Sequence, residues 1–374
     1  MRNREKTIHN SPSFGIVKFL THAFLPVALL LVSPLLLRAQ DKPITTIDLD
    51  CRAFAIANDG RIACAAYKLG RSKKYDIERD DIWMAQPNGK RKKIVDGEKL
   101  VQSQTPFSYK ITDLSFSPDG HVLLVGMMTL QVMDAQGTTQ AGKLVDIMND
   151  EGREIPIAGT NPKTSSIGGA TNAAALADGE TIVYLTQPND ESLFYTIATV
   201  RPRGGRGGSI FDGHFFTSVV WDAAHNSAIA VERDKDLSGP IRLVHLDLLH
   251  ESDTPITALD AFLGQLTISP AGDKVAYFRD GDTLEIRTLA NPAAVVSIHC
   301  AYGKYAWAPD EQRVLLKRGS EKESGDLVWV AIPAGNLTPI LHDLIFRNFA
   351  ISPDGHTLAV VSAGSNNLMT YPLP

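Results

Sequence analysis

Polar side chains recur at one position of a repeated sequence pattern, and their types could bind a ligand. Seven residues occupy this position, six of them polar or charged: Ala53, Asp113, Asn172, Ser218, Gln265, Lys304 and Asn348. Aromatic, basic and imidazole side chains stand close by in the sequence: Tyr109, Lys110, His214, Phe215, Tyr302 and Arg347. Such groups form a binding site where they converge on a concave surface. Polar residues at strand starts also satisfy water-facing backbone groups, so both interpretations stay open.

Local catalytic motifs are absent from the sequence. Ser209 in GGSIF comes nearest to a nucleophile elbow but lacks the final glycine. His250-Glu251 is not followed by a second histidine at the spacing that a zinc helix needs. The glycine-rich stretch RPRGGRGGS (201–209) lacks the Lys-Ser/Thr ending of a phosphate loop. It is interpreted as a flexible basic connection, with a loop for an anionic ligand as the alternative.

One stretch, DKDLSGPIRLVH, resembles a calcium loop. Asp234, Asp236, Ser238 and Gly239 follow the alternate spacing of oxygen ligands with a glycine at the sixth position. His245 stands where the closing glutamate belongs, so a hairpin turn is expected and calcium is the alternative. The sequence predicts no cofactor and no metal site.

The repeat around these residues predicts the elements that position them. Seven copies of an apolar stretch, a turn and a denser apolar stretch are present: FAIANDGRIACAAY (54–67), LSFSPDGHVLLV (114–125), AAALADGETIVYL (173–185), VVWDAAHNSAIAV (219–231), LTISPAGDKVAYF (266–278), YAWAPDEQRVLLK (305–317) and FAISPDGHTLAVV (349–361). Asp-Gly permits the positive φ of a tight turn, and the flanking alternation indicates a β-hairpin. The denser second strand should be buried on both faces.

A second strand pair follows most hairpins, for example DIWMAQPNGKRKKIV (81–95) and LQVMDAQGTTQAGKLV (130–145). Four strands repeated seven times predict an all-β fold, a seven-bladed β-propeller of four-stranded antiparallel blades. Its last blade has only three strands before the chain ends. We therefore expect the alternating segment ITTIDLD (44–50) to supply the missing outer strand and close the ring.

The repeat resembles the WD-like propeller repeat of the TolB family. The resemblance rests on Asp81-Ile82-Trp83, Asn88-Gly89 and the Ser-Pro-Asp-Gly turns at 117–120 and 352–355, and at the level of the repeat it covers nearly all of residues 40–374. The TolB protein has an α/β domain before its propeller, and related peptidases carry a hydrolase domain. Neither is found here, so the resemblance implies a stand-alone propeller, and it indicates fold more specifically than function.

The N-terminal segment has the pattern of a secretory signal. Four basic residues precede the apolar run FLPVALLLVSPLLL (24–37), and Ala39 is a small residue at the expected cleavage site. We expect a signal peptide over 1–39, one propeller over 40–374 and a periplasmic or extracellular location. The alternative is an uncleaved membrane anchor at 20–37.

The charge of the chain limits the classes of partner, and its cysteine content limits the number of disulfides. Without the five basic residues and one acidic residue of 1–39, the chain keeps 32 Lys and Arg against 41 Asp and Glu, a net charge of −9, which argues against nucleic acid. Between Arg61 and Lys99, eleven basic residues outnumber six acidic ones, so blade 1 is a candidate contact for an acidic partner or a membrane. The three cysteines allow one disulfide or none, and Cys51 and Cys64 are not opposite each other in the simplest register.

Two functions are compatible with the sequence. The first is an exported, non-catalytic scaffold that binds a protein or peptide partner at the channel mouth through the polar, aromatic and basic residues named at the start. The second is a hydrolase or lyase whose channel-mouth site is assembled from several blades, since such a site leaves no local motif. His214 is the only histidine in the predicted mouth loops, which favours the first.

Overall fold

The chain forms seven four-stranded antiparallel sheets that are the blades of a β-propeller. The computed structural model describes residues 43, 45–70, 77–100, 107–132, 139–160, 164–187, 192–204, 207–236, 238–300, 303–318, 325–365 and 367–373. The predicted signal segment lies outside these residues and stays a prediction. In the described part of the chain, no helix has the length and apolar character needed to cross a membrane.

The strands follow one another in chain order, with four to a blade. They are β1 (Thr45–Ile47), β2 (Cys51–Ile56), β3 (Ile62–Ala66), β4 (Asp81–Ala85), β5 (Arg91–Val95), β6 (Phe107–Phe116), β7 (Val122–Val132), β8 (Thr139–Asn149), β9 (Ser166–Gly168), β10 (Ala170–Ala175), β11 (Ile182–Thr186), β12 (Thr196–Val200), β13 (Ser209–Ile210), β14 (Phe216–Asp222), β15 (Ser227–Glu232), β16 (Ile241–Asp247), β17 (Ser252–Leu259), β18 (Gly264–Ile268), β19 (Lys274–Phe278), β20 (Thr283–Thr288), β21 (Asn291–His299), β22 (Tyr305–Trp307), β23 (Arg313–Lys317), β24 (Gly325–Ala331), β25 (Leu337–Leu344), β26 (Phe346–Ile351), β27 (Thr357–Ser362) and β28 (Leu368–Pro372). The described helices are α1 (Gly97–Leu100) and a single 3-10 turn at Ala223–His225.

The ring is closed by the first strand of the chain, as the sequence predicts. Blade 1 is β2–β5, each later blade takes the next four strands, and blade 7 has the order β1-β28-β27-β26. The outer strand β1 pairs with β28, with Thr45 opposite Thr370 and Ile47 opposite Leu368. The first and last described strands therefore share one sheet.

The first hairpin of every blade turns through one residue in the left-handed backbone region. These residues have φ between 53° and 81°, and they are Gly60, Gly120, Gly179, Asn226, Gly272, Glu311 and Gly355. In three blades a serine hydroxyl closes the turn, as where the Val122 N–H donates to Ser117 Oγ at 2.8 Å. The copies of the repeat are thus turns, and we call the end of the ring that carries them the turn face.

The second strand of each blade is buried between its neighbours. All residues of β3 and of β15 are buried, and the corresponding strands β19, β23 and β27 are buried for most of their length. Separate apolar clusters fill the spaces between blades, such as that of Phe54 and Ile62 with Leu368 between blades 1 and 7. Each blade buries its two faces on adjacent blades, which confirms the predicted burial of this strand.

Blade 2 differs from the prediction. The stretch at 130–145 is not an outer hairpin, because it contains the end of β7 and the start of β8, the second and third strands. The outer strand β9 has three residues, whereas β6, β7 and β8 have 10, 11 and 11. The first three strands therefore extend past those of other blades at the end opposite the turn face, which we call the mouth face.

A disulfide joins Cys51 to Cys64, with 5.7 Å between the two Cα atoms. A β-bulge between Cys51 and Ala53 shifts the register of β2 on β3, so Cys51 lies opposite Ala66 and on the same sheet face as Cys64. The simplest register missed this pairing because it has no bulge. Cys300 is a buried free thiol.

Candidate functional site

The seven predicted mouth residues occupy equivalent places on the innermost strands. Six of them lie within these strands, and only Lys304 precedes its strand, β22. In each of the six strands the pairing with the second strand shifts at this place, as between Ile111 and Asp113. A bulge inserts an extra residue and breaks the apolar alternation. The sequence pattern therefore placed the strand start too late.

Asp113 and Lys304 have the environment expected at the wall of the channel. They belong to blades 2 and 6, three blades apart by the shorter way round. Enclosure raises the pKa of the Asp113 carboxyl, and the positive charge of Lys304 acts against that rise. The Asp113 side chain is nevertheless accessible to solvent. A side chain that is enclosed by protein but open to water fits the wall of a channel.

Neighbouring blades are joined at this level by direct contacts. Lys304 Nζ donates to Asn348 Oδ1, linking blades 6 and 7. Asn172 Nδ2 donates to the Val219 carbonyl at 3.2 Å, and Trp221 Nε1 donates to the Asn172 carbonyl at 2.7 Å, linking blades 3 and 4. These bonds fix the inner strands to one another and hold part of the polar ring in place.

The remaining predicted residues divide between the mouth and the core. Lys110 and Arg347 are exposed, and Ser218 and Gln265 are half-buried. Tyr109 is a correction: its side chain is 2 % exposed and packs between blades 1 and 2, where its hydroxyl donates to the Asp80 carbonyl. The alternation of β6 turns Tyr109 inward and Lys110 outward. Tyr302 lies outside the described residues.

His214 and Phe215 lie at the edge of blade 4 and are held by specific partners. The His214 Nδ1 atom is 2.6 Å from Glu232 Oε1, and the other oxygen of this carboxylate, Oε2, accepts a hydrogen bond from Arg242. The Phe215 ring packs edge-on to Phe194, with 4.6 Å between ring centroids, and Lys235 lies over its face. The pair anchors aromatic surface beside the mouth.

The extended part of blade 2 carries apolar residues that sequence reasoning missed. Met128 and Leu130 are 45 % and 40 % exposed. They alternate with Met127 and lie on the same side of β7 as Leu124, which packs against blade 3. Blade 3 is shorter, so this side of the extension is uncovered. The signal in the sequence is the long, mostly apolar stretch VLLVGMMTLQV (122–132).

This uncovered side continues onto blade 3. Lys143, opposite Met128 in the sheet, donates to Gln187 Oε1 at 3.0 Å, and Gln187 Nε2 donates to the Ser192 carbonyl at 2.8 Å. The next residue, Leu193, is 72 % exposed. We call Lys110, Met128, Leu130, Lys143 and Leu193 the blade 2–3 patch. It is an apolar surface bordered by lysines.

A buried carboxyl lies behind this patch, between blades 1 and 2. Asp80 Oδ2 accepts the Ile111 N–H at 2.9 Å and lies 3.9 Å from Arg52 Nη1, and Oδ1 has no hydrogen-bond partner among the residues that the structure describes. Burial raises the pKa of Asp80 to about 6. The folded chain thus favours the protonated acid more than the unfolded chain does.

We expect Asp80→Asn to change the pH dependence of stability. Because the folded pKa is raised, the stabilisation from protonated Asp80 is complete below pH 4 and is lost as the pH rises through about 6. Relative to the variant, the wild-type protein should lose about 3 kcal/mol of unfolding free energy between pH 3 and pH 8. Urea titrations at a series of pH values measure this. Parallel stability profiles would contradict the assignment.

The other sequence candidates have structural partners. Asp234 pairs with Arg242, and Asp236 accepts bonds from the Ser238 N–H and hydroxyl, as expected for a hairpin turn. Across the described ranges, no three His, Cys, Asp or Glu side chains are grouped so as to hold a metal. Arg201 in the glycine-rich connection donates to Thr181 Oγ1 at 3.2 Å.

Comparison with known proteins finds similarity in structure and not in sequence. No protein-family model and no curated protein matches the chain. A chain in the crystal structure of the mitotic checkpoint complex has a TM-score of 0.57 at 14% identity, covering 97% of this chain and 99% of that one. The β-propeller domain of Cps50 (Swd1) from Myceliophteria thermophila has a TM-score of 0.59 at 11% identity, covering 89% of this chain and 99% of that one. These similarities show the fold alone, a seven-bladed β-propeller of the WD40 type.

Proposed function

We propose that the chain is an exported, non-catalytic β-propeller that binds a protein or peptide partner on its mouth face. The observation that carries the proposal is the blade 2–3 patch, where Met128, Leu130 and Leu193 are exposed next to lysines. Monomeric proteins rarely leave large apolar side chains grouped in this way unless they contact another molecule. The polar ring with Asp113 and Lys304 lies beside this patch on the same face.

The charges on this face indicate the chemistry of the partner. Lys110, Lys143, Lys304 and Arg347 contribute positive charge at or near the mouth, on a chain that is otherwise acidic. Apolar contacts inside a charged rim are typical of protein interfaces. A segment with apolar side chains flanked by Asp or Glu fits this arrangement best. One structural neighbour is likewise a chain of a protein complex, the mitotic checkpoint complex.

Export is supported by two independent features. The N-terminal pattern is that of a secretory signal, and the structure pairs Cys51 with Cys64. Disulfides persist in oxidising compartments and are rare in the cytosol. The TolB-like repeat is likewise found in proteins of the bacterial periplasm, so we propose a periplasmic or extracellular location.

Replacing the mouth cations should weaken binding of the partner by at least tenfold. The test variant is Lys110→Ala with Lys304→Ala and Arg347→Ala, and a second variant carries Met128→Asp with Leu130→Asp. Partners are captured from envelope extracts and identified, and their affinities for each purified variant are measured by calorimetry. Residues whose replacement strongly weakens binding usually cluster near the centre of an interface.

The matched control removes three cations elsewhere on the surface, with Lys90→Ala, Lys92→Ala and Arg153→Ala. All three residues are exposed and lie away from the mouth face. The control should bind as the wild type does, since total charge changes equally in both variants. If test and control variants bind every captured partner equally, the mouth face is not the binding surface.

A further inference from the structure

A cavity lies between blades 2 and 3 at the turn face, the opposite end of the ring from the proposed partner surface. Its volume is about 350 Å³, within the range of small-molecule sites. The apolar part of its wall is built from both blades: Pro118, Val122, Ile147 and Ile155 of blade 2, and Ala175, Leu176, Ile182 and Pro202 of blade 3.

The cavity exists because blade 3 has a small residue where five of the other blades have large apolar ones. Ala175 lies four residues before the left-handed turn residue of its blade. The corresponding residues that pack against the preceding blade are Ile56, Phe116, Ile268, Trp307 and Ile351. Blade 4 has Asp222 at this place, held by His225, and only blade 3 has alanine, so the side chain that would fill the space is missing.

The equivalent cleft between blades 7 and 1 shows what a larger side chain does. That cleft is lined by Ile56 in the place of Ala175, and its volume is about 220 Å³. The cavity at Ala175 is therefore an enlarged form of a recess that the fold repeats. The enlarged recess opens at the surface and is wide enough to admit a small apolar ligand.

The polar groups in the wall are already paired within the protein. The Ser117 hydroxyl is bonded to Asp119 and to the Val122 N–H. The Thr181 hydroxyl donates to Asp178 and accepts from Arg201. Since these groups have their partners, the part of a ligand inside the cavity gains most by being apolar.

A basic side chain lies at the opening of the cavity on the turn face. Arg203 lines it and is exposed, and no hydrogen bond or ion pair engages its side chain within the described ranges. Glu180 and Asp119 also line the opening, and Asp119 already accepts bonds from the Ser117 hydroxyl and the His121 N–H. A guanidinium can form two parallel hydrogen bonds to a carboxylate. Arg203 can therefore hold an anionic head group in a more defined geometry than Glu180 can hold a cationic one.

We propose that this cavity binds a single aliphatic chain of about ten carbons with its carboxylate at Arg203. At roughly 30 Å³ for each heavy atom, the volume admits about a dozen heavy atoms, as in decanoate. The ligand class is a medium-chain fatty acid. The site is independent of the proposed partner surface, which lies at the other end of the ring.

Calorimetry with a homologous series of fatty acids tests the proposal. From decanoate down to hexanoate, each methylene removed should weaken binding about fourfold, which corresponds to about 0.8 kcal/mol. Chains longer than about ten carbons should gain nothing further. Decanol and decyltrimethylammonium should each bind at least fivefold more weakly than decanoate. Equal or tighter binding of the cationic amphiphile, or no binding of any chain, would overturn the assignment.

Two variants locate the site. Ala175→Ile restores the residue that blades 1, 5 and 7 carry and should weaken decanoate binding at least tenfold. Arg203→Glu, at an exposed position, should abolish the preference for decanoate over decanol even if the first variant does not fold. The control Ala258→Ile makes the same replacement on the exposed face of β17. Unchanged decanoate binding in both Ala175→Ile and Arg203→Glu would place the ligand elsewhere.

Discussion

Replacing Ile47 with aspartate should lower the free energy of unfolding by about 5 kcal/mol, the largest effect of a single substitution that we expect in this protein. Ile47 is 3 % exposed and lies in the outer strand that closes the ring. It packs with Phe54, Val361 and Leu368 in the cluster between blades 7 and 1. A carboxylate at this place would lose these contacts and would have no buried cation in the cluster to pair with.

The matched control is Thr46→Asp, one residue away on the same strand. Thr46 is exposed, so the same charge there should change stability by less than about 0.5 kcal/mol. Urea denaturation followed by tryptophan fluorescence measures both variants. If Ile47→Asp were as mild as the control, the pairing of β1 with β28 would not be what holds the ring closed.

The closing strand was predictable because its signal is local. Residues 44–50 alternate as a strand does, and blade 7 lacked a partner on its outer side. The turns were predictable for the same reason, since Asp-Gly and Ser-Pro-Asp-Gly select the left-handed backbone that Gly60, Gly120 and Gly355 adopt. Even Asn226 and Glu311, in the two most divergent copies, adopt it. The number of blades followed from such local chemistry.

The strand lengths of blade 2 and the bulges of the inner strands were harder to predict, because both depend on pairing with neighbouring strands. The run VLLVGMMTLQV forms one strand of 11 residues, but the run does not indicate that the paired strands β6 and β8 have a similar length. The bulge at Asp113 is a change of register between two strands. A single strand contains no information on register, so the sequence pattern by itself predicts that the strand begins after the polar residue.

The candidate site was predicted in part. The sequence predicts Asp113, Lys304 and Asn348 at one level of the ring, and the hydrogen bond from Lys304 to Asn348 and the electrostatic effect of Lys304 on Asp113 agree with that placement. Tyr109 was misplaced because the alternation within β6 decides which side chain turns inward. The cavity at Ala175 was not predicted, although the copies show alanine where others have Ile, Phe or Trp. An alanine in the sequence does not by itself predict a cavity, because the cavity also depends on the residues of blade 2 that face Ala175.

Replacing Glu285 with alanine should destabilise blade 5 by about 4 kcal/mol. Its side chain is 7 % exposed and accepts bonds from the Tyr277 hydroxyl at 2.6 Å and from Arg279 at 3.2 Å. Arg287 lies 3.4 Å from the same carboxylate and donates to the Tyr277 hydroxyl at 2.9 Å. Without Glu285, the guanidinium of Arg287 and the Tyr277 hydroxyl stay buried without their anion.

Two comparisons separate loss of the buried anion from loss of packing. Tyr277→Phe removes only a hydroxyl, so it should lower the free energy of unfolding by about 1 kcal/mol. Asp282→Ala removes an exposed carboxylate of the same blade and should have almost no effect. If Glu285→Ala were no worse than Tyr277→Phe in urea denaturation, water would be replacing the carboxylate. The network would then be open to solvent, and blade 5 would depend on its apolar contacts alone.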